Sequence, residues 1–253
     1  MSGRIVDLLI EPSYSCNLRC RHCSSVGVEE RPISFYWTLR RIVSSYKVEQ
    51  IRISGGEPTV YPNLRQLIYW LRSEFGYGGK IILQTNGVEY FYDCEIDQYW
   101  ISLYGDKPFH EWVTQVRGSF DRTIDTLREH YEDSPDKVIV QTPVFDFVQF
   151  KSMDSLIKKY PFLSNITFRF TRLLQHGSAE FLLSVYSREH QFEVARTFPY
   201  KKIITCSLTG KNCSRDKKLI IRPDGRVFRC ASCKHGINKC SDKIESVEPL
   251  EKF

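Results

Sequence analysis

Residues 5–23, IVDLLIEPSYSCNLRCRHC, run from a short apolar segment straight into three cysteines. Ile5–Ile10 is nearly continuous in apolar character, as a strand buried on both faces would be. Cys16, Cys20 and Cys23 follow in a C-x3-C-x2-C spacing. Three thiolates in one short loop suit an iron–sulfur cluster. A [4Fe–4S] cube held by three thiolates keeps one iron free, and a catalytic metal needs an open position. Spacing alone also leaves zinc and unligated thiols open. His22, next to Cys23, is poorly placed to reach the same zinc ion.

Downstream, short Val- and Ile-rich runs alternate with helical ones. Strands are predicted at Gln50–Ser54, Lys80–Gln84, Trp100–Leu103, Val138–Thr142 and Ile166–Phe170. Helices are predicted after Pro32 (ISFYWTLRRIVSSY), after Pro62 (NLRQLIYWLRSEF), from a Ser119 cap (FDRTIDTLREHY), and over KSMDSLIKKY. This β-α rhythm, repeated about six times, predicts a parallel sheet with helices outside. In a full or open barrel the site lies at the C-terminal strand ends.

The rhythm breaks after about Leu174. FLLSVYSREHQFEVARTF reads as one more helix, and LIIRPDGRVFRC as a hairpin. Its strands would be Ile220–Arg222 and Arg226–Phe228, with Pro223-Asp224-Gly225 at the turn. Three units are expected: a barrel over 1–180, a connecting helix over 181–200 and a cysteine-rich domain over 201–253.

With 253 residues, 42% apolar and 26% charged, the chain can bury a sizeable core. The net charge of +6 is mildly basic, and no run of like charge is long enough to favour nucleic acid. No stretch approaches the ~20 apolar residues of a membrane span, and no secretory signal is legible. A soluble, cytoplasmic protein is expected. The nine cysteines are odd in number and clustered, which favours metal or cluster ligation over disulfides. Cys94, alone in VEYFYDCEID, reads as a small buried residue.

A second motif, ISGGEPTVYP at 53–62, follows the second strand. Gly55 and Gly56 permit unusual φ angles and close backbone approach to a ligand. Pro58, after Glu57, fixes the chain's exit. CNLRCRHC followed by SGGEP resembles the radical S-adenosylmethionine (SAM) superfamily, with His22 in the usually aromatic position. The resemblance implies an α/β fold, a partial (β/α)6 barrel, with Cys16, Cys20 and Cys23 holding a [4Fe–4S] cluster whose open iron SAM completes. It implies SAM contacts from Gly55, Gly56, Glu57 and Pro58, from Thr85 and Asn86 in LQTNG, from Ser102 in ISLYG, and from Arg172 and Gly177 in FRFTRLLQHGSAE. It also implies reductive cleavage of SAM and hydrogen abstraction from a peptide or small-molecule substrate. The electron donor would be a protein such as ferredoxin or flavodoxin. Arg52 shares a face with Ser54, and GTP cyclases of this superfamily carry a similarly placed substrate-binding Arg. An ordinary surface strand Arg is the alternative.

The tail, with Cys206, Cys213, Cys230, Cys233 and Cys240, resembles the auxiliary-cluster region of SPASM and twitch members. This implies a further [4Fe–4S] cluster on four of the five. A zinc ribbon uses the same residue types, and a zinc-binding interaction or nucleic-acid module is the rival reading of the whole chain.

Overall fold

The computed structural model describes residues 4–23, 35–173, 188–204, 218–223, 225 and 227–229. In chain order these form β1 (Arg4–Ile5), β2 (Asp7–Ile10), α1 (Phe35–Ser45), β3 (Lys47–Val48), β4 (Gln50–Ile53), α2 (Leu64–Tyr69), β5 (Lys80–Thr85), β6 (Gln98–Ser102), α3 (Lys107–Thr114), α4 (Ser119–Asp133), β7 (Val138–Val144), α5 (Phe147–Lys159), β8 (Thr167–Arg172), α6 (Arg188–Thr197), β9 (Lys202–Ile204), β10 (Lys218–Ile221) and β11 (Val227–Arg229).

One open sheet runs β11-β10-β2-β4-β5-β6-β7-β8-β9. Its pairs are parallel except β10–β11. Parallel neighbours need long crossovers, and the helices supply them. Alternation divides each strand between two faces. Ile51, Ile53, Ile81, Leu83, Tyr99, Ile101, Val140 and Phe168 pack outward with Leu39, Leu67, Ile124 and Leu127 of the helices in one continuous core. The opposite face carries a small separate cluster of Ile82, Trp100 and Ile139.

All six predicted strands are present. The sheet extends beyond them at both ends. β9 adds to β8, and β10 lies parallel to β2, from Lys218 beside Asp7 to Ile221 beside Ile10. The predicted hairpin forms, pairing Ile221 with Val227 around Gly225 at φ 75°. It is therefore part of the barrel sheet. Cys206, Cys213, Cys230, Cys233 and Cys240 lie outside the described residues, as does Gly177.

Some local expectations are corrected. Ser119 is the first residue of α4 rather than its cap. Gly118, left-handed at φ 77°, holds the cap position, and the Ser119 hydroxyl pairs with Thr114 Oγ1 at 2.8 Å. Helix α3 arises where none was predicted, from an Asp106 cap that accepts from Phe109 N at 3.2 Å, with Pro108 in the first turn. Cys94 is exposed rather than buried, because the β5–β6 connection carries it through a surface turn.

On the inner face, Arg52 makes a bidentate pair with Asp7: Nε to Oδ1 at 2.7 Å and Nη2 to Oδ2 at 2.6 Å. Gln50 Nε2 adds a bond to the same carboxylate at 3.1 Å. The side chains are only 16% and 8% exposed. Burial works against Asp7 ionisation, yet the charge and hydrogen bonds of Arg52 hold its carboxyl below the usual range. Arg52→Ala should strand a buried carboxylate and lower unfolding free energy by about 3 kcal/mol, read from the denaturation midpoint. The deficit should be present above about pH 4 and fade as pH falls through the lowered Asp7 value, where the pair is lost in both proteins.

Candidate active site

The cysteine loop leaves the C-terminal end of β2 and is clamped from two sides. On one side Ser54 N donates to Ile10 O at 2.9 Å, Gly56 N to Ser13 O at 2.9 Å and Glu57 N to Ser15 O at 2.8 Å. A Cβ on Gly56 would sit 2.2 Å from Ser15 O and 2.4 Å from Tyr14 O, and one on Gly55 2.3 Å from Ser13 O. Gly55 also holds φ 119°. The close approach that this glycine pair permits is thus to the chain's own cysteine loop. On the other side, the C-terminal carbonyls of α3, which lack helical partners, accept from the loop. Arg19 N donates to Thr114 O at 3.2 Å, Arg21 N to Val113 O at 2.8 Å, and Arg21 Nε to Trp112 O at 2.9 Å.

The clamp presents three cysteines outside any disulfide, Cys16 exposed and Cys20 and Cys23 half-buried. Leu18 N donates to Cys16 Sγ at 3.4 Å and Asn86 Nδ2 reaches it at 3.9 Å. Cys23 N closes a turn onto Cys20 O at 3.0 Å. Burial pushes the Cys20 thiol up to about 12, with Cys16 and Cys23 adding to the effect, and burial also raises Cys16. Three thiols within electrostatic reach of one another resist ionising together. An iron–sulfur cluster supplies the positive charge that would offset this, so the donor set fits the group.

Among the described residues, no group of three or more His, Cys, Asp and Glu side chains is gathered as one metal ion would require. His22 turns its ring edge-on to Tyr104, with centroids 5.0 Å apart, and to Phe145 at 5.7 Å. Burial lowers its pKa to about 4. It packs as an aromatic residue.

Glu57 is 1% exposed and ties two strand ends together. Oε1 accepts from Thr85 Oγ1 at 2.6 Å, Thr59 Oγ1 at 2.8 Å and Thr59 N at 3.1 Å, and Oε2 from Asn86 N at 2.7 Å. Burial still raises its carboxyl above the usual range, against the donors on Thr85, Asn86 and Thr59. Asn86 Nδ2 donates to Asn17 Oδ1 at 2.7 Å, within the cysteine loop itself. Pro58 is buried and opens a turn of 3-10 helix. Ser102 ends β6, and Arg172 ends β8. The strand ends thus gather Cys16, Gly55–Pro58, Thr85 and Asn86 into one connected structure. Arg52 stands apart, paired with Asp7. Sequence reasoning missed Asn17 and Tyr104, although Tyr104 lies in the same ISLYG segment as Ser102.

The family model of the radical SAM superfamily matches residues 10–158. A Methanocaldococcus jannaschii protein provisionally named a glycyl-radical enzyme activating enzyme is 27% identical over 224 residues, covering 83% of this chain and 84% of that protein. An S-adenosylmethionine-dependent nucleotide dehydratase of a Thermoplasmatales archaeon is 39% identical over 75 residues, 28% of this chain and 26% of that protein. The crystal structure of Streptococcus suis SuiB bound to precursor peptide SuiA aligns with a TM-score of 0.69 at 16% identity, over 94% of this chain and 62% of SuiB. The chain thus spans less than two thirds of SuiB's length, and the likeness is one of fold.

Gly56→Ala should drive a methyl group into the backbone of Tyr14 and Ser15. Anaerobic reconstitution should then give several-fold less bound iron and sulfide than wild type, with the circular dichroism of the barrel retained. Glu57→Gln turns an amide donor toward donors and should lower stability by about 2 kcal/mol, read by thermal unfolding.

Proposed function

The chain belongs to the radical SAM superfamily, and on that premise we propose that Cys16, Cys20 and Cys23 are the ligands of its [4Fe–4S] cluster and that SAM lies across the adjoining strand ends. When bound, cluster and SAM supply reductive cleavage to methionine and a 5′-deoxyadenosyl radical, which takes a hydrogen atom from the substrate. The chain's residues bind, orient and enclose. The backbone of Gly55–Pro58 receives the methionine end of SAM. Thr85 and Asn86 act through Glu57, fixing that backbone against the cysteine loop. Ser102, Arg172 and Gly177 contribute from the later strand ends. Ile82, Trp100 and Ile139 form a small apolar cluster on the inner face of the sheet, with the guanidinium groups of Arg52 and Arg169 over the Trp100 ring.

The observation that carries this reading is the joint clamp. The cysteine loop and the SGGEP segment share backbone hydrogen bonds at the C-terminal strand ends, where parallel α/β barrels place their chemistry. Residues 201–253, with Cys206, Cys213, Cys230, Cys233 and Cys240, are assigned to an auxiliary [4Fe–4S] cluster of the SPASM or twitch type. A peptide substrate is supported by the fold shared with peptide-bound SuiB. A nucleotide is the second reading, favoured by the dehydratase match and by Arg52, which faces the inner side of the sheet near Trp100. The electron donor is a ferredoxin or flavodoxin, and the compartment the cytoplasm. Among the described residues no helix is long and apolar enough to cross a membrane.

Anaerobically reconstituted protein, reduced with dithionite and given SAM, should release 5′-deoxyadenosine and methionine, measured by liquid chromatography. In Cys16→Ala the release should fall to background. Colourless wild-type protein holding stoichiometric zinc and releasing neither product would overturn the assignment.

A further inference from the structure

The cysteine loop carries one side-chain donor whose partner the protein does not supply. Asn17 lies between Cys16 and Leu18. Its Oδ1 accepts from Asn86 Nδ2 at 2.7 Å. Its own Nδ2 is buried and meets no acceptor among the described residues. A buried amide N–H without an acceptor is costly and rare, and where one persists a ligand or ion is a standard explanation.

The amide cannot turn over to relieve this, because Asn86 is fixed on every side. The Asn86 backbone N donates to Glu57 Oε2 at 2.7 Å, its backbone O accepts from Thr123 Oγ1 at 3.0 Å, and its Oδ1 accepts from Val88 N at 2.9 Å. The Val88 bond assigns the oxygen end of the Asn86 amide, so the nitrogen end faces the loop. Reversing Asn17 would set two NH2 groups against each other. Asn86 Nδ2 also reaches Cys16 Sγ at 3.9 Å. Asn17 Oδ1 and Cys16 Sγ thus share one donor nitrogen, which puts the unsatisfied amide beside the first thiol.

We infer that the Asn17 side-chain amide donates to a sulfur of the bound cluster, sulfide or ligand thiolate, and raises the cluster's reduction potential. This rests on the assignment of Cys16, Cys20 and Cys23 as ligands. Sulfur that carries negative charge is the acceptor this amide lacks. A zinc ion on the same thiols brings no sulfide. Asn86 is a positioning residue that acts through Asn17, holding its amide in the donating orientation. The step affected is the gain of one electron by the oxidised cube from a one-electron protein carrier, with no bond broken. The reduced cube is more negative, so a donor on its sulfur stabilises it more than the oxidised form.

The test is a redox titration of reconstituted protein without SAM, monitored by electron paramagnetic resonance. Asn17→Ala removes the amide and adds no charge. It should assemble a cube with wild-type iron and sulfide and show a lower midpoint, by roughly the equivalent of a tenfold change in the reduction equilibrium, about 59 mV for one electron. If Asn17→Ala takes up less iron, Asn17→Asp decides, since it keeps an acceptor for Asn86 Nδ2. In pulsed resonance after exchange into deuterated water, fewer exchangeable hydrogens should couple to its reduced cube than in wild type. An amide that only holds Asn86, or only binds SAM, moves neither reading in SAM-free protein. An unchanged midpoint in a full Asn17→Ala cube, or unchanged couplings in Asn17→Asp, would overturn this inference and leave the ligand assignment standing. A wild-type chain that assembles no cube would overturn both.

Discussion

Everything in this molecule depends on how closely two backbones approach at the ends of β2 and β4. The cysteine loop is too short and too polar to hold a shape of its own. It takes its shape from Gly56 N and Glu57 N, which donate to Ser13 O and Ser15 O. Those bonds form only because positions 55 and 56 carry no Cβ: any side chain there would overlap the carbonyl oxygens of Ser13, Tyr14 and Ser15. The glycines serve the loop first, and through it the thiols.

The second constraint is electrostatic. Glu57 is buried, yet its carboxylate accepts from donors on Thr59 in its own turn and on Thr85 and Asn86 at the next strand's end. This turns a costly buried charge into a tie between the ends of β4 and β5. Asn86 passes the tie on to Asn17, between Cys16 and Cys20. The far side of the loop is held by the free carbonyls at the C-terminus of α3. Glycines, carboxylate and helix end together fix the thiols before any metal arrives, which is the preorganisation a cofactor site requires.

Much of this was legible in the chain. The six strands announced themselves by Val and Ile content, and the two motifs by their place at strand ends. What escaped notice depends on non-local contact. β10 reads as half of a local hairpin, and nothing in LIIRP shows that its other edge lies against β2, some two hundred residues earlier. β9 is three residues long, too short for periodicity to register. Helix α3 carries an Asp106 and Pro108 start signal, but Val113 is the one apolar residue among those it buries, so it shows little helical periodicity. Ser119 has the residue type of a cap, yet Gly118 holds that position. Cys94 has the residue type of a buried position, yet its turn exposes it. Tyr104 gives no signal in the sequence, since its place lies in the His22 ring it packs against across the fold.

The most direct measurement is electron paramagnetic resonance of the anaerobically reconstituted, reduced protein before and after SAM is added. If three thiolates hold a cube with one iron bare, the reduced-cube signal is present and changes line shape when SAM chelates that iron. A reduced-cube signal indifferent to saturating SAM, or no such signal in fully reconstituted protein, would contradict the account.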